Sequence, residues 1–329
     1  MRKRDTAMLV GGTLTGMGIV MNCLAVEAIR ENFFRRSPRT VKAGKIESVD
    51  EMHRDYLKRK GKKWIKSQKR EAIEIVSRDG YLLQGEYIHN TTAKREEGDP
   101  VDVVVLSHGY GSTGYNDLLI FADFYGRQGF DILLIDQRVH GKSEGTIITF
   151  GAKEQDDMIR WIRKAVNIAG ENSRILLHGW SMGAAIVYLA AANGVPAQVK
   201  GLVYDCGYSA IEAQFLHTSL KASPFPMELH YYVIQFMKPW CRLMAGFDMK
   251  EASPLFVARN MNLPVLFVHG EADKVVPSWM GKRLCAATNK TPYRDFLAVK
   301  DAGHTDCYLR DKALYEKKIL KLWKACTKN

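Results

Sequence analysis

From residue 71 onward, short hydrophobic runs alternate with longer amphipathic segments. Two runs of alternating polarity, at 71–77 and 81–88, flank Asp79-Gly80, a dipeptide typical of a hairpin turn. Six continuous apolar runs follow, in the order VDVVVLSHG, FDILLIDQ, SRILLHG, VKGLVYD, NLPVLFVHG and YRDFLAV. Helical patterns occupy the stretches near 116–128, 152–169, 182–193, 278–288 and 307–326. This alternation predicts an α/β protein whose eight-stranded, mostly parallel sheet is covered by helices on both faces.

One stretch, residues 208–262, interrupts the alternation because it is helical in pattern and rich in aromatic residues and Met. It lies between the last two parallel strands and the strands before them, so we interpret it as a helical cap inserted at the edge of the sheet. Its aromatic side chains are candidates to line an apolar substrate pocket, although residues at near-helical spacing also form a cap core. The candidates are Phe215, Phe225, Tyr231, Phe236 and Trp240.

The segment ahead of this body, residues 6–26, has 21 positions without a charge. A helix of about 20 apolar residues crosses a bilayer core, so we predict that residues 1–29 form an uncleaved, single-pass membrane anchor. A cleaved secretory signal and a helix packed on the body are the alternatives. Which side of the membrane the body faces is left open by the sequence.

Positive charge is concentrated directly after this segment in the sequence. The chain carries a net charge of +12, and residues 30–70 account for +10 of it, whereas residues 71–329 carry only +1. A basic helix or linker at 30–70 beside an apolar segment favours contact with anionic lipid headgroups. A nucleic-acid partner is not expected, because the body offers no basic face.

The sequence GWSMG, at 179–183, has the pattern G-x-S-x-G between an apolar strand and an alanine-rich helix. The two glycines allow a tight strand-to-helix turn that exposes Ser181 as a nucleophile. A serine hydroxyl needs a base, and His304 follows the last strand. Asp273, after the preceding strand, is expected to orient this histidine. Other acids near these positions, at 271, 301 and 306, are alternatives for this role.

Acyl transfer also requires donors for the developing oxyanion. The backbone N–H groups of Tyr110, in the loop HGYGSTGYN, and of Met182, directly after the serine, are the candidate donors. The six cysteines show no C-x-x-C or His/Cys spacing suited to a metal. We therefore predict neither a metal nor an organic cofactor.

The motifs SHGYGST, DQRVHGKSEG, HGWSMGAA, HGEADKVVP and AGH resemble the functional loops of the α/β-hydrolase superfamily, over about residues 71–329. YDCGYSA and the leading apolar segment are similar to bacterial membrane-bound or cell-surface hydrolases, and the chain also resembles the serine aminopeptidase-like and lysophospholipase-like branches. The resemblance implies the α/β-hydrolase fold and a catalytic triad of Ser181, Asp273 and His304. Val139 and Ala184 stand where the family usually has glycine.

These observations predict a serine hydrolase that cleaves carboxylic esters through an acyl-enzyme, of the carboxylesterase or lysophospholipase type. The expected substrate is a small-molecule or lipid-derived ester. A serine peptidase or aminopeptidase and an acyltransferase would use the same triad. A non-catalytic, membrane-bound binding protein is a further alternative, although such a protein would normally have lost a triad residue.

Overall fold

A computed structural model of the chain describes residues 3–34 and 49–327, with the side chains of residues 3–17, 49 and 50 left aside. Part of the predicted basic segment, residues 35–48, lies outside the described residues. The rest of that segment is described and consists mainly of one helix.

Eight strands form a single sheet in the order β1-β2-β4-β3-β5-β6-β7-β8. The first two strands form the predicted antiparallel hairpin, β2 pairs antiparallel with β4, and all other neighbours are parallel. The predicted mostly parallel eight-stranded sheet is thereby confirmed. The strands are β1 Lys69–Val76, β2 Leu82–His89, β3 Asp102–Ser107, β4 Asp131–Ile135, β5 Arg174–Trp180, β6 Val199–Asp205, β7 Val265–Gly270 and β8 Arg294–Val299.

Helices cover both faces of this sheet. The α-helices are α1 Lys3–Phe33, α2 Val49–Lys66, α3 Gly114–Asp117, α4 Leu119–Arg127, α5 Glu154–Ala169, α6 Met182–Asn193, α7 Ile211–Ala222, α8 Met227–Trp240, α9 Pro254–Val257, α10 Ser278–Ala287, α11 Cys307–Arg310 and α12 Lys312–Thr327. A π-helical turn follows α8 at Cys241–Ala245, and 3-10 turns lie at Met249–Ala252 and Ala258–Asn260.

The sheet separates two hydrophobic cores. On one face the strands pack against α5, α6, α10, the second half of α1 and the helices between β6 and β7. On the other face they pack against α2, α4 and α12. The central strands β3 to β7 are buried along nearly their whole length, which is why they appear in the sequence as unbroken apolar runs.

The N-terminal helix α1 packs on the helices that occupy the predicted cap range. Met21, Ala25, Ile29 and Phe33 are buried at a spacing of four residues, which places them on one helical face. The indole Nε1 of Trp240, at the end of α8, donates a hydrogen bond of 2.8 Å to Oδ1 of Asn22. The helix continues to Phe33, so the predicted boundary at residue 29 falls inside it.

Among the helices of residues 3–34 and 49–327, none combines the length and the apolar character that a membrane crossing requires. The anchor expected at residues 6–26 lies within α1 and stays a prediction. Its last part includes the buried Met21 and also Asn22, which accepts the hydrogen bond from Trp240 of α8.

Helix α2 is held on the opposite face of the sheet by a close approach to α4. A Cβ atom added at Gly61 would lie 1.9 Å from the carbonyl oxygen of Leu119, so the two helices meet where only glycine fits. Leu57 and Ile65 are buried on either side of this contact. Trp64 lies against Gly126 of α4 in the same interface.

We therefore predict that Gly61→Ala destabilises the fold. The added methyl group overlaps backbone, and such overpacking typically costs about 1–3 kcal/mol. Thermal unfolding should report a melting temperature lower by about 2–4 °C for each kcal/mol lost.

The matched control is Gly18→Ala in α1, where a Cβ atom meets nothing within 4 Å. This variant should keep or slightly raise the melting temperature, because alanine is the better helix former. Equal losses in both variants would contradict a specific contact between α2 and α4.

Candidate active site

Ser181 occupies a sharp turn between β5 and α6. Its backbone has φ 57° and ψ −119°, a conformation rarely adopted by residues other than glycine, and its N–H donates to the carbonyl oxygen of Asp205 at 2.9 Å. A Cβ atom at Gly179 would lie 2.3 Å from the carbonyl oxygen of Gly183. A Cβ atom at Gly183 would lie 2.1 Å from the carbonyl oxygen of Ser107. The glycines are thus required by backbone packing around the serine.

The structure brings the three candidate catalytic side chains into one hydrogen-bonded chain. Nε2 of His304 lies 2.9 Å from Oγ of Ser181. Nδ1 of the same ring lies 2.7 Å from Oδ2 of Asp273. Since the carboxylate accepts at Nδ1, the ring carries its proton there and presents Nε2 as the acceptor for the serine proton.

The environment of Asp273 keeps its carboxyl group ionised. Its side chain is fully buried, and burial by itself opposes ionisation. Hydrogen bonds from His269 and His304 and from the backbone N–H of Val276 outweigh that effect and lower the pKa well below its usual value. Its Oδ1 also accepts from the N–H of Val275 at 2.8 Å. A fixed negative charge therefore faces His304.

The other acids considered from the sequence have different positions. Asp306 forms an ion pair with Arg54 at 2.7 Å, and Glu271 lies 3.9 Å from Lys282. Asp301 lies in the turn after β8 with a φ of 55°. The acid that contacts the histidine ring is Asp273.

Both candidate oxyanion donors lie beside the serine. Met182 is the first residue of α6, where backbone N–H groups have no partner within the helix. Tyr110 follows Gly109, at which an added Cβ atom would lie 3.3 Å from Cβ of Ser181. The helix N-terminus also favours negative charge at this point.

Two buried histidines shape the loop that contains Tyr110. Nε2 of His108 accepts from the N–H of Gln137 at 3.0 Å, and Nε2 of His140 accepts from the N–H of Gly111 at 3.1 Å. Their Nδ1 atoms donate to the carbonyl oxygens of Gly109 and Arg138. Burial lowers the pKa of each ring to about 4, so both stay neutral near pH 7 and act as hydrogen-bonding supports for the loop.

The backbone at Val139 explains why the family that the sequence resembles usually has glycine at this position. Val139 has a φ of 67°, in the left-handed region that glycine adopts without strain. Its side chain is buried nonetheless. This chain therefore combines a strained turn with an apolar contact at that position.

A buried polar network beneath the serine was not anticipated from the sequence. Asp205, at the end of β6, accepts a hydrogen bond of 2.6 Å from the Tyr315 hydroxyl, which also lies 3.1 Å from Nε2 of His178. Nδ1 of His178 lies 2.9 Å from the Tyr125 hydroxyl. Burial raises the pKa of Asp205 to about 6. Its position at the carboxyl end of a parallel strand was the available signal.

Cys206 is the third member of a group whose possible metal-ligating atoms lie within 4.8 Å of one another, the others being Asp273 and His304. The histidine and the aspartate already bind each other, and the histidine also binds Ser181. Burial raises the pKa of the Cys206 thiol and so favours its protonated form, which is a poor metal ligand. This group fits the serine site better than a metal centre.

A cavity of about 430 Å³ lies between α1, α7 and α8. Of the five aromatic residues predicted to line a pocket, Phe215 and Phe225 line this cavity. Tyr231 is half exposed on α8, whereas Phe236 and Trp240 are partly buried and pack against the core. The cavity wall also includes Leu24 and Ala28 of α1, which no sequence pattern had linked to a pocket.

Aromatic contacts connect this cavity with the loop beside the serine. The ring of Phe215 contacts that of Phe150 with centroids 5.3 Å apart, and Phe150 stacks on Tyr110 at 5.6 Å. Tyr110 is 40% exposed at the site. A chain of two ring contacts therefore leads from Phe215 in the cavity wall to Tyr110 in the loop beside the serine.

Comparison with known proteins agrees with this architecture. A family described as serine aminopeptidase, S33, matches residues 98–253, slightly less than half of the chain. The uncharacterized protein YqkD of Bacillus subtilis is 24% identical over 248 residues, which cover 75% of this chain and 77% of YqkD. The uncharacterized protein YfhR of Escherichia coli K12 is 21% identical over 244 residues, 72% of this chain and 74% of its own length.

Solved structures share the fold. The esterase Pf2001 of Pyrococcus furiosus superposes with a TM-score of 0.63 at 21% identity, over 80% of this chain and 94% of its own. An acylaminoacyl peptidase of Pyrococcus horikoshii superposes with a TM-score of 0.59 at 16% identity, over 79% of this chain and 42% of its own.

The sheet order, the strained serine turn and the serine–histidine–aspartate chain are those of the α/β-hydrolase fold, which the superposed structures share. Over residues 98–253 the chain is similar to the serine aminopeptidase family, a similarity that agrees with a serine hydrolase of this fold.

The buried histidines generate a prediction for stability against pH. Below the ordinary histidine pKa of 6.5, the unfolded chain takes up protons that native His140 accepts only near pH 4. The unfolding free energy should therefore fall between pH 6.5 and 4, by about 1.4 kcal/mol per pH unit for each such group. Unfolding free energies can be measured by urea titration at several pH values in this range. In His140→Gln, the plot of unfolding free energy against pH should have a slope smaller by about that amount. An unchanged slope would contradict the assignment of a neutral, buried His140.

Proposed function

We propose that this protein cleaves carboxylic esters through an acyl-enzyme formed on Ser181. The observation that carries the proposal is the hydrogen-bonded chain from Oγ of Ser181 through His304 to the ionised Asp273. A serine on a strained turn, with its proton acceptor at 2.9 Å, is arranged for nucleophilic attack.

In the first half of the reaction, Nε2 of His304 takes the proton from Ser181 as Oγ bonds to the ester carbonyl carbon. The resulting oxyanion accepts hydrogen bonds from the N–H groups of Tyr110 and Met182. The bond between the carbonyl carbon and the alkoxy oxygen then breaks, and His304 gives its proton to the departing alcohol. Asp273 stabilises the imidazolium that exists between these steps.

In the second half, water replaces the alcohol. His304 removes a proton from water, whose oxygen attacks the acyl carbon. The bond to Oγ of Ser181 breaks, and the serine recovers its proton from His304. The products are one carboxylic acid and the free enzyme.

We further propose that the cavity between α1, α7 and α8 receives the acyl chain of the ester. Most of its wall is apolar, including Leu24, Phe215, Phe225 and Met237. Burial of apolar surface contributes about 0.8 kcal/mol per methylene group, so a cavity of this kind favours longer acyl chains.

A peptidase would use the same three side chains, and the serine aminopeptidase family match keeps that reaction as the second candidate. Matched ester and amide substrates with the same acyl group separate the two. An ester rate that exceeds the amide rate by several orders of magnitude supports the esterase, and comparable rates support the peptidase.

Substitutions at the three residues test the catalytic assignment. Ser181→Ala should abolish labelling by a fluorophosphonate probe, because the attacking oxygen is lost. Asp273→Asn should lower kcat for p-nitrophenyl acetate by about 10³–10⁴-fold, since the wrong histidine tautomer is favoured. His304→Ala should show a loss of similar size.

Asp301→Asn is the matched control, because it removes a carboxylate from the same loop as His304 without touching the ring. It should retain nearly full activity. An impaired Asp301→Asn variant together with an active Asp273→Asn variant would show that the acid is misassigned. Labelling of Ser181→Ala by the probe would end the proposal of a serine nucleophile.

Filling the cavity tests the acyl-chain site. Ser219 of α7 lines the cavity, so Ser219→Phe should lower kcat/KM for p-nitrophenyl decanoate at least tenfold, the equivalent of two unburied methylenes. Activity toward the acetate ester should stay within about threefold, because a short acyl group does not reach the cavity.

The neighbouring Leu220 is exposed and does not line the cavity, so Leu220→Phe should leave both rates unchanged. Equal losses for both esters in Ser219→Phe, or no loss for either, would contradict this role of the cavity.

A further inference from the structure

Arg54 of α2 contacts residues next to both His304 and Ser181, the two groups of the proposed proton transfer. On the histidine side, its Nη2 lies 2.7 Å from Oδ1 of Asp306 and 3.1 Å from the carbonyl oxygen of Thr305. On the serine side, its guanidinium carbon lies 5.4 Å from the ring centroid of Trp180. Thr305 directly follows His304, and Trp180 directly precedes Ser181. One side chain therefore bridges the residues adjacent to both reacting groups.

The loop that contains His304 has a strained backbone, which the contacts of Arg54 support. Thr305 has a φ of 65°, in the left-handed region that a β-branched residue adopts only under strain. The hydrogen bond from Arg54 to its carbonyl oxygen holds that conformation. Asp306 also lies close beneath Gly303, where an added Cβ atom would be 2.7 Å from Oδ2. The ion pair of Arg54 and Asp306 thus lies directly under the loop.

On the serine side, the contact is with a buried ring. Trp180 is 1% exposed and packs edge-on against Phe121 of α4, with ring centroids 5.6 Å apart. A guanidinium group over an indole face is an attractive cation–π arrangement. The side chains of Arg54 and Asp306 are 20% and 26% exposed, so the ion pair is partly shielded from water.

The helix that carries Arg54 is fixed on the body. Its packing on α4 depends on the close approach at Gly61 and on buried Leu57 and Ile65. Farther along the helix, Lys60 pairs with Asp123 of α4 at 3.7 Å. Arg54 is therefore presented from a rigid element that lies outside the strand–helix pattern of the hydrolase body.

We propose that Arg54 is a positioning residue that keeps Nε2 of His304 and Oγ of Ser181 at hydrogen-bonding distance. This inference rests on the proposed function, because it concerns the same serine and histidine. Reacting groups that move apart by about 1 Å can lose on the order of 100-fold in rate. Arg54 acts through Trp180, Thr305 and Asp306, so its loss should affect kcat far more than KM.

The experiment compares Arg54→Ala, Arg54→Lys and Lys60→Ala in the full chain. Active sites are first counted by stoichiometric fluorophosphonate labelling, and kcat for p-nitrophenyl acetate is then expressed per labelled serine. This normalisation removes any effect of a reduced folded fraction. Arg54→Ala should lower kcat per labelled serine about 10–100-fold and slow the labelling rate similarly, with KM changed less than about threefold.

The conservative and control variants sharpen the result. Arg54→Lys retains a cation for Asp306 but not the planar group over Trp180, so it should recover part of the lost rate. Lys60→Ala removes another α2 cation that is paired with α4, and it should keep wild-type kcat. Arg54→Ala combined with Asp306→Ala should lose no more than Arg54→Ala alone, because both substitutions break the same link.

Wild-type kcat per labelled serine in Arg54→Ala would overturn the inference, as would an equal loss in Lys60→Ala. Failure of wild-type protein to react with the probe or the ester would overturn the proposed function and this inference with it. Reactive wild-type protein with an equally reactive Arg54→Ala variant would overturn the inference alone.

Discussion

The site depends on one steric constraint, the close packing of backbone around Ser181. The turn after β5 passes so near the end of β3 that Gly183 has no room for a side chain beside Ser107. The same packing holds Ser181 at a positive φ and directs its hydroxyl toward His304. The strained turn persists because the two buried strands and the helix on either side fix it.

Buried polar groups surround this turn, and each has a protonation state set by burial and its hydrogen bonds. His108 and His140 stay neutral and support the loop of Tyr110, while Asp273 stays ionised against His304. Asp205 accepts from Ser181 through its backbone and from Tyr315 through its side chain. The neutral histidines thus support the loop, and the ionised Asp273 faces the histidine of the proposed proton transfer.

The segments before residue 69 contribute to both sides of the molecule. Helix α1 packs on α8 and forms part of the wall of the cavity that we assign to the acyl chain. Helix α2 packs on α4 across the sheet and brings Arg54 to the loops around the serine and the histidine. Both helices therefore pack on the hydrolase body, one on each face of the sheet.

Local sequence patterns were sufficient to predict the sheet, the serine turn and the chain order of Ser181, Asp273 and His304. Strand periodicity, glycine spacing and chain order are properties of short segments, and a parallel sheet collects residues at its strand ends. The partners of Arg54, more than 120 residues away along the chain, could not be read from the sequence. The wall that α1 supplies to the cavity, the strain at Val139 and the hydrogen bonds of Asp205 were equally hidden. These features were decided by tertiary packing, because each depends on which distant backbones and rings meet when the two faces of the sheet are covered.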